Sequence, residues 1–380
     1  MTRIYLDYHA TSPLRPEAAA AQRAGDKLLG NPSSVHGEGR AAFAALDEAR
    51  ARIARHFAAP PDAVIFTSGG TEACNLALQQ RRAPGGPLRR LIVAASEHVA
   101  VLDAARAFAA RDGLALHWLA VTPQGEVELE RLADFLRDPA PALVAVMAVN
   151  NETGVVQPSA EIRALVAAHG SLLFTDAVQA ASRVPLELER DGDLMALSAH
   201  KFGGPKGIGA LLGRAAALSA PSSHGGAQEA HRRAGTQNLG GALGMAAALD
   251  AAMADAAQLV PKQKAWQRSM EAWLKKHHPD ICIFGESQPR SGSCACFAAA
   301  GLSAETLVIA LDLAGFAVSA GAACSSGKVS ASHVLRAQGV SEELARAAIR
   351  VSWGWASRRS DLLKLAKAWS GLRRRLDRAA

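Results

Sequence analysis

From about residue 62 to residue 213 the chain repeats one unit: a short apolar run, a polar turn and an amphipathic stretch. The apolar runs are Ala63–Thr67, Leu91–Ala95, Leu114–Leu119, Leu143–Met147, Leu172–Thr175, Leu194–Leu197 and Ile208–Leu212. Helical spacing lies between them, as in Val99–Arg111 and Ala160–His169. Most of the runs lack polar alternation, as expected of strands covered by helices on both faces. The pattern predicts an α/β fold with one seven-stranded, mostly parallel sheet and crossover helices.

Residues 242–277 are Ala-rich with helical periodicity and no strand signal, so one or two long helices lead out of the sheet. Beyond them Ile281–Phe284, Cys294–Phe297, Phe316–Ser319 and Ile349–Ser352 read as short strands among helices, a smaller α+β domain. Gly39–Phe57 is helical. The expected organisation is an N-terminal segment 1–15 and a helical part 16–60 packing with the small domain, a large α/β domain over 61–255, and the small domain over 256–380.

Composition narrows the class without changing that picture. A chain of 380 residues with 49% hydrophobic and 20% charged residues is neither disordered nor a disulfide scaffold. The longest aliphatic run, Ala142–Val149, is far below the roughly 18 residues that cross a bilayer, and Met1–Tyr5 lacks a signal-peptide core. Neither membrane insertion nor secretion is expected. The net charge is 42 − 35 = +7, but the basic residues are scattered apart from Arg89-Arg90 and Arg373–Arg375. Direct nucleic-acid binding is therefore not expected. Five widely spaced cysteines, with no Cys-x-x-Cys pair, fit a reducing cytoplasm and no metal site. Cys294 and Cys296 share one strand face and read as structural thiols.

In an open α/β sheet ligands bind beyond the carboxyl ends of the strands. Here those ends read Ser68-Gly69-Gly70-Thr71-Glu72, Ser96-Glu97-His98, Asn150-Asn151-Glu152, Asp176-Ala177-Val178-Gln179 and Ser198-Ala199-His200-Lys201. The Gly-rich turn opens a helix and suits an anion, although it is neither a Walker loop nor Gly-x-Gly-x-x-Gly. Asp176 ends an apolar strand, where a carboxylate requires a cation or donors. Lys201, in a Gly-rich turn inside the same crevice, can lose enough basicity to form a Schiff base.

These motifs, together with Tyr5–Ser12, Gly30–His36, Arg233–Thr236, Gly321–Cys324 and Ile349–Ser352, resemble the class V, fold-type-I pyridoxal phosphate enzymes nearly end to end. Within that family they resemble the cysteine desulfurases of the NifS/IscS type. The resemblance implies pyridoxal 5'-phosphate as cofactor, with Lys201 forming the Schiff base, Asp176 pairing with the pyridinium nitrogen and His98 stacking on the ring. It implies Gln179 at the phenolic oxygen and Gly70, Thr71, Ser198 and His200 at the phosphate. Thr236 would reach the cofactor of a second subunit, so a homodimer is implied. Asn151 would face both cofactor and substrate, and Arg350 would take the substrate carboxylate.

Cys324 lies among small residues with Lys328 nearby, a setting for a thiolate nucleophile. The expected activity is conversion of L-cysteine to L-alanine with sulfur transferred to Cys324 as a persulfide. The implied partners are iron–sulfur scaffold proteins or thiolation enzymes. The alternatives on the same fold are a selenocysteine lyase, an aminotransferase of small amino acids, or a non-catalytic basic RNA-binding relative. One departure stands out: Ser352-Trp353-Gly354-Trp355 replaces the family's common Ser-Leu-Gly-Arg, removing a cation near Arg350.

Overall fold

A computed structural model describes residues 3–321 and 331–377. The seven sheet strands form where the apolar runs predict them, in the order Val64–Thr67, Gly209–Gly213, Leu194–Ser198, Leu172–Asp176, Ala142–Met147, Arg90–Ala94, Ala115–Leu119. Every pairing is parallel except the two made by Gly209–Gly213. That strand follows its predecessor after a short turn without a crossover helix, and only an antiparallel return is possible over so short a path. Gly209 is also where the sheet meets the Gly-rich turn: a Cβ there would lie 2.6 Å from the Gly69 carbonyl carbon and from Leu197 O.

Helices cover both faces, as the unalternating strands require. One face packs Ala73, Leu76, Val101 and Phe108 against Leu91, Val93, Leu143 and Phe174. The opposite face is closed in part by Ile162 and Val166 against Val144 and Leu173. The small domain is a four-stranded antiparallel sheet, Cys282–Ile283, Cys294–Ala298, Ile349–Ser352, Ser319–Ala320, around a core with Phe297, Val351, Trp353 and Trp369.

The helical part 16–60 departs from expectation. Helices Pro16–Asp26 and Gly37–Arg55 pack with the large domain: Ala18, Leu46, Ala49 and Ile53 share a core with Phe66, Leu197 and Leu212. An amphipathic pattern fixes which face of a helix is apolar and leaves its partner open. Only the first few residues join the small domain, where Ile4–Tyr5 pairs with Phe316–Ala317 and Leu6 enters the core.

The Ala-rich segment is a single helix, Leu239–His277, with Pro261 inside it. Its first half, Ala242 to Ala252, belongs to the large-domain core, and Met270 and Leu274 belong to the small-domain core. The change of domain therefore falls within a continuous helix. The same helix is long and apolar enough to cross a membrane by length and composition; here helices Pro16–Asp26 and Gly37–Arg55 pack on it.

Candidate active site

The strand ends converge on a cavity of about 900 Å³, a size typical of small-molecule sites. Its floor comes from the large domain, and Gly321, His333 and Arg350 close it from the small domain. Lys201 ends a short 3-10 turn, Ala199–Lys201, that follows the strand Leu194–Ser198. Its Nζ donates to the carbonyl oxygens of His9 (2.7 Å) and Ala10 (3.0 Å). Desolvation, helped by the Arg350 and Arg183 guanidinium groups, lowers its pKa to about 8. Roughly a tenth to a fifth of this amine is thus neutral near physiological pH, far more than for a free lysine, as a nucleophilic lysine requires.

Asp176 ends its strand buried, with Oδ1 accepting from Val178 N at 2.9 Å. Burial raises its pKa to about 6, against the opposing pull of that hydrogen bond and of Lys201. A carboxyl so placed gains from a cationic ligand group. Gln179 is fixed by donating to His9 O at 2.9 Å and by accepting from Arg183 at 3.1 Å. Arg183 also donates to Lys201 O at 2.9 Å, so it braces both residues from beneath.

His98 caps the helix Val99–Asp112: its Nδ1 accepts from Ala100 N at 3.2 Å. Desolvation, then the nearby Lys201, His333 and Arg350, lowers its pKa to about 4. The ring is neutral at pH 7, and with Nδ1 an acceptor the proton sits on Nε2, the nitrogen left for the cavity. His200 is likewise held neutral, at about 4, chiefly by desolvation, and its Nδ1 lies 3.1 Å from Thr11 Oγ1.

Helix Gly70–Leu78 begins at Gly69, so no side chain caps it, and its first turn opens into the cavity beside Thr71, Ser198 and His200. Free backbone N–H groups, a helix dipole and two hydroxyls make an anion cradle. Arg350 is buried, with one nitrogen on Asp7 Oδ1 (3.0 Å), another on Asn151 O (3.3 Å) and its Nε unpartnered. The buried Asn151 Oδ1 also lacks a partner. Both are polar atoms that a ligand would satisfy.

Ten of the predicted residues, Gly70, Thr71, His98, Asn151, Asp176, Gln179, Ser198, His200, Lys201 and Arg350, therefore line one cavity. Thr236 does not: it is exposed in an irregular segment and is absent from the cavity wall. Cys324 lies outside the described residues. Cys74, Cys294 and Cys296 are buried, whereas Cys282 is exposed. Trp353 is a core residue, and Trp355 donates to Pro13 O at 3.2 Å while the Arg15 guanidinium rests 5.1 Å from its ring. That guanidinium is itself paired with Asp255 at 2.7 Å and does not line the cavity.

A model of the class-V aminotransferases matches residues 4–365. The chain belongs to the class-V aminotransferase family. It is 36% identical over 383 residues to an IscS-like cysteine desulfurase of Mycobacterium tuberculosis, covering 99% of this chain and 98% of that one. It is 37% identical over 371 residues to a cysteine desulfurase of Cereibacter sphaeroides, covering 96% and 95%. Among solved structures, a NifS-like protein of Rickettsia africae superposes with a TM-score of 0.87 at 27% identity, covering 98% of this chain and 99% of that one. DndA of Streptomyces lividans superposes at 0.76 with 31% identity, covering 92% and 99%.

This class-V family uses pyridoxal phosphate, and the residues present fit that group. A desolvated amine, a buried carboxyl seeking a cation and an uncapped helix start share one cavity. Sequence reasoning did not single out His9, Arg183, Asp7 or Glu152. His9, Asp7 and Glu152 lie inside quoted motifs, so position in a motif was the available signal; Arg183 had none.

Proposed function

We propose that the protein is a pyridoxal phosphate-dependent cysteine desulfurase that converts L-cysteine to L-alanine and carries the sulfur away on Cys324. The observation that supports this reading best is the single cavity uniting Lys201, Asp176, His98 and Arg350, in a chain alike over 99% of its length to an IscS-like cysteine desulfurase.

Bound pyridoxal phosphate supplies an electron sink for bonds at an amino acid's α-carbon. Asp176 holds a proton at the ring nitrogen, which restores the counter-charge its burial demands. Lys201 anchors the cofactor and, with its lowered pKa, takes and returns the α-proton. The free edge of Arg350 orients the substrate carboxylate. His98, neutral with its proton on Nε2, exchanges a proton with the substrate thiol. Cys324 attacks the substrate sulfur: the S–S bond forms as the C–S bond breaks, and protonation of the carbon fragment completes alanine. One sulfur atom moves from cysteine to Cys324, so no external oxidant or reductant is needed.

The physiological setting we propose is a homodimer in a reducing cytoplasm, with Thr236 at the partner's cofactor and a sulfur-acceptor protein, an iron–sulfur scaffold or a thiolation enzyme, as client. None of the alternative activities is favoured by the site. The test incubates the protein, loaded with cofactor, with L-cysteine and measures alanine, sulfide and persulfide. Lys201→Ala abolishes alanine formation, and Cys324→Ala binds cysteine but forms almost no persulfide. Equal sulfur release from Cys324→Ala and the parent protein refutes the assigned nucleophile.

A further inference from the structure

Glu152 is a carboxyl that none of these steps uses, yet it is buried and lines the cavity. Its Oε2 accepts a 2.6 Å hydrogen bond from Ser332 Oγ. The same hydroxyl caps the helix His333–Ala337 by accepting from Leu335 N at 3.1 Å. His333, the first residue of that helix, places Nε2 2.8 Å from the Glu97 carbonyl oxygen. Glu97 immediately precedes His98. An unbroken series of contacts thus runs from Glu152 through Ser332 and His333 to the turn that carries the cavity histidine. Space around the carboxyl is tight: a Cβ at Gly321 would lie 3.2 Å from Oε2.

We propose that Glu152 is a positioning residue whose carboxylate, acting through Ser332 and His333, holds the Glu97–His98 turn in place at the cavity. The mechanical link stands on these contacts alone; its consequence for turnover rests on the desulfurase reading.

The charge state matters because Ser332 must do two things. A carboxylate draws the hydroxyl proton toward itself and leaves a lone pair for Leu335 N–H, and the two hydrogen bonds reinforce one another. A neutral acid accepts more weakly. Burial raises the pKa of Glu152 to about 7, while the Ser332 hydrogen bond and Arg350 pull it down, so its ionisation falls within the working range of an enzyme. Arg350 faces it from the strand Ile349–Ser352, and Cys296 from the neighbouring strand. Burial, then Glu152 itself, holds the Cys296 thiol well above its usual pKa and neutral. Cys294 donates to the Glu152 carbonyl oxygen at 3.5 Å, and burial raises its pKa to about 12. The other titratable residues along the relay are His333 and Glu97, and burial, then Asp176, holds the Glu97 carboxyl well above its usual pKa.

The experiment measures amide hydrogen exchange of the segments 97–102 and 332–338 in the cofactor-loaded protein at pH 6 and pH 8, corrected for intrinsic exchange. The parent protein is compared with Glu152→Gln and Ser332→Ala. In the parent, both segments are protected roughly fivefold better at pH 8, the difference between a charge-assisted and a neutral hydrogen bond. In both variants the two pH values give the same, lower protection.

Thermal unfolding checks that Glu152→Gln is folded. The native carboxyl keeps its proton up to about pH 7 whereas the unfolded chain releases it near 4.5, so ionised Glu152 lowers stability above that window. The variant accordingly melts about 3 °C higher than the parent at pH 8. In turnover, the acidic inflection of kcat near pH 7 disappears from Glu152→Gln while KM moves less than about twofold. Identical pH-dependent protection in the parent and Glu152→Gln overturns the proposal. Absence of alanine from the parent at every pH refutes the desulfurase reading instead, and the exchange data still decide the role of Glu152.

Discussion

Replacing Gly70 by alanine separates the stability of the fold from its affinity for the cofactor. A Cβ at this position would stand 3.0 Å from Val178 Cγ2 and 3.3 Å from Ser198 Cβ. Comfortable carbon contacts begin near 3.5 Å, so Val178 has to withdraw by roughly half an ångström. It cannot do so freely, because its amide holds Asp176 Oδ1 at 2.9 Å. Overpacking of this kind costs about 1–3 kcal/mol. Alanine in a helical first turn returns up to about 1 kcal/mol relative to glycine, so the unliganded protein loses little. Cofactor held as proposed, against Asp176 and the helix start, would remove the room for relaxation. The strain then shows in binding, and about 2 kcal/mol corresponds to roughly 30-fold weaker affinity. Titrating cofactor-free protein with pyridoxal phosphate, followed by visible absorbance, measures this against the parent. A Kd within twofold of the parent, with unchanged melting, refutes the placement of the phosphate at Gly70.

Two further outcomes test other parts of the structure. Because Lys201 titrates at about 8 rather than 10.5, capture of the cofactor by the unliganded protein accelerates up to about pH 8 and then levels; a rate still climbing tenfold per pH unit beyond pH 9 contradicts the lowered pKa. Glu229 has a fully buried carboxyl that accepts two hydrogen bonds from Arg50 and one from Phe66 N, and it opens a left-handed run through His231. Glu229→Ala leaves Arg50 without its charge partner and destabilises the large domain by about 3–5 kcal/mol, seen as an earlier first transition in urea.

The sheet was readable because its strands are buried on both faces: seven apolar runs, each bounded by polar turns, leave few other arrangements. The floor of the site was readable for the same reason, since Asp176 and Lys201 are polar residues where an apolar strand stops. The packing of helix Gly37–Arg55 was not, because its stripe of Leu46, Ala49 and Ile53 would serve equally well against either domain. Nor was the role of Arg183, a surface-like arginine in sequence whose burial, lowering its pKa to about 10, arises only when Gln179 and Lys201 fold over it. The relay from Glu152 to Glu97 joins residues 180 and 236 positions apart in its two long steps, and no local pattern encodes such a path.

The helix Leu239–His277 acts as a spacer gauge. Asp176 and Lys201 belong to the body at one end and Arg350 to the body at the other, so the rod, together with the direct contacts of Arg350, Ser332 and His333 across the cavity, fixes the width available to a substrate. Exchanging a side chain on its surface leaves that width alone. Adding a single residue between Ala252 and Met270 would advance the far body by about 1.5 Å and turn it by about 100°, carrying the arginine out of reach of the lysine. Along this stretch, replacements of exposed side chains are tolerated and insertions are not.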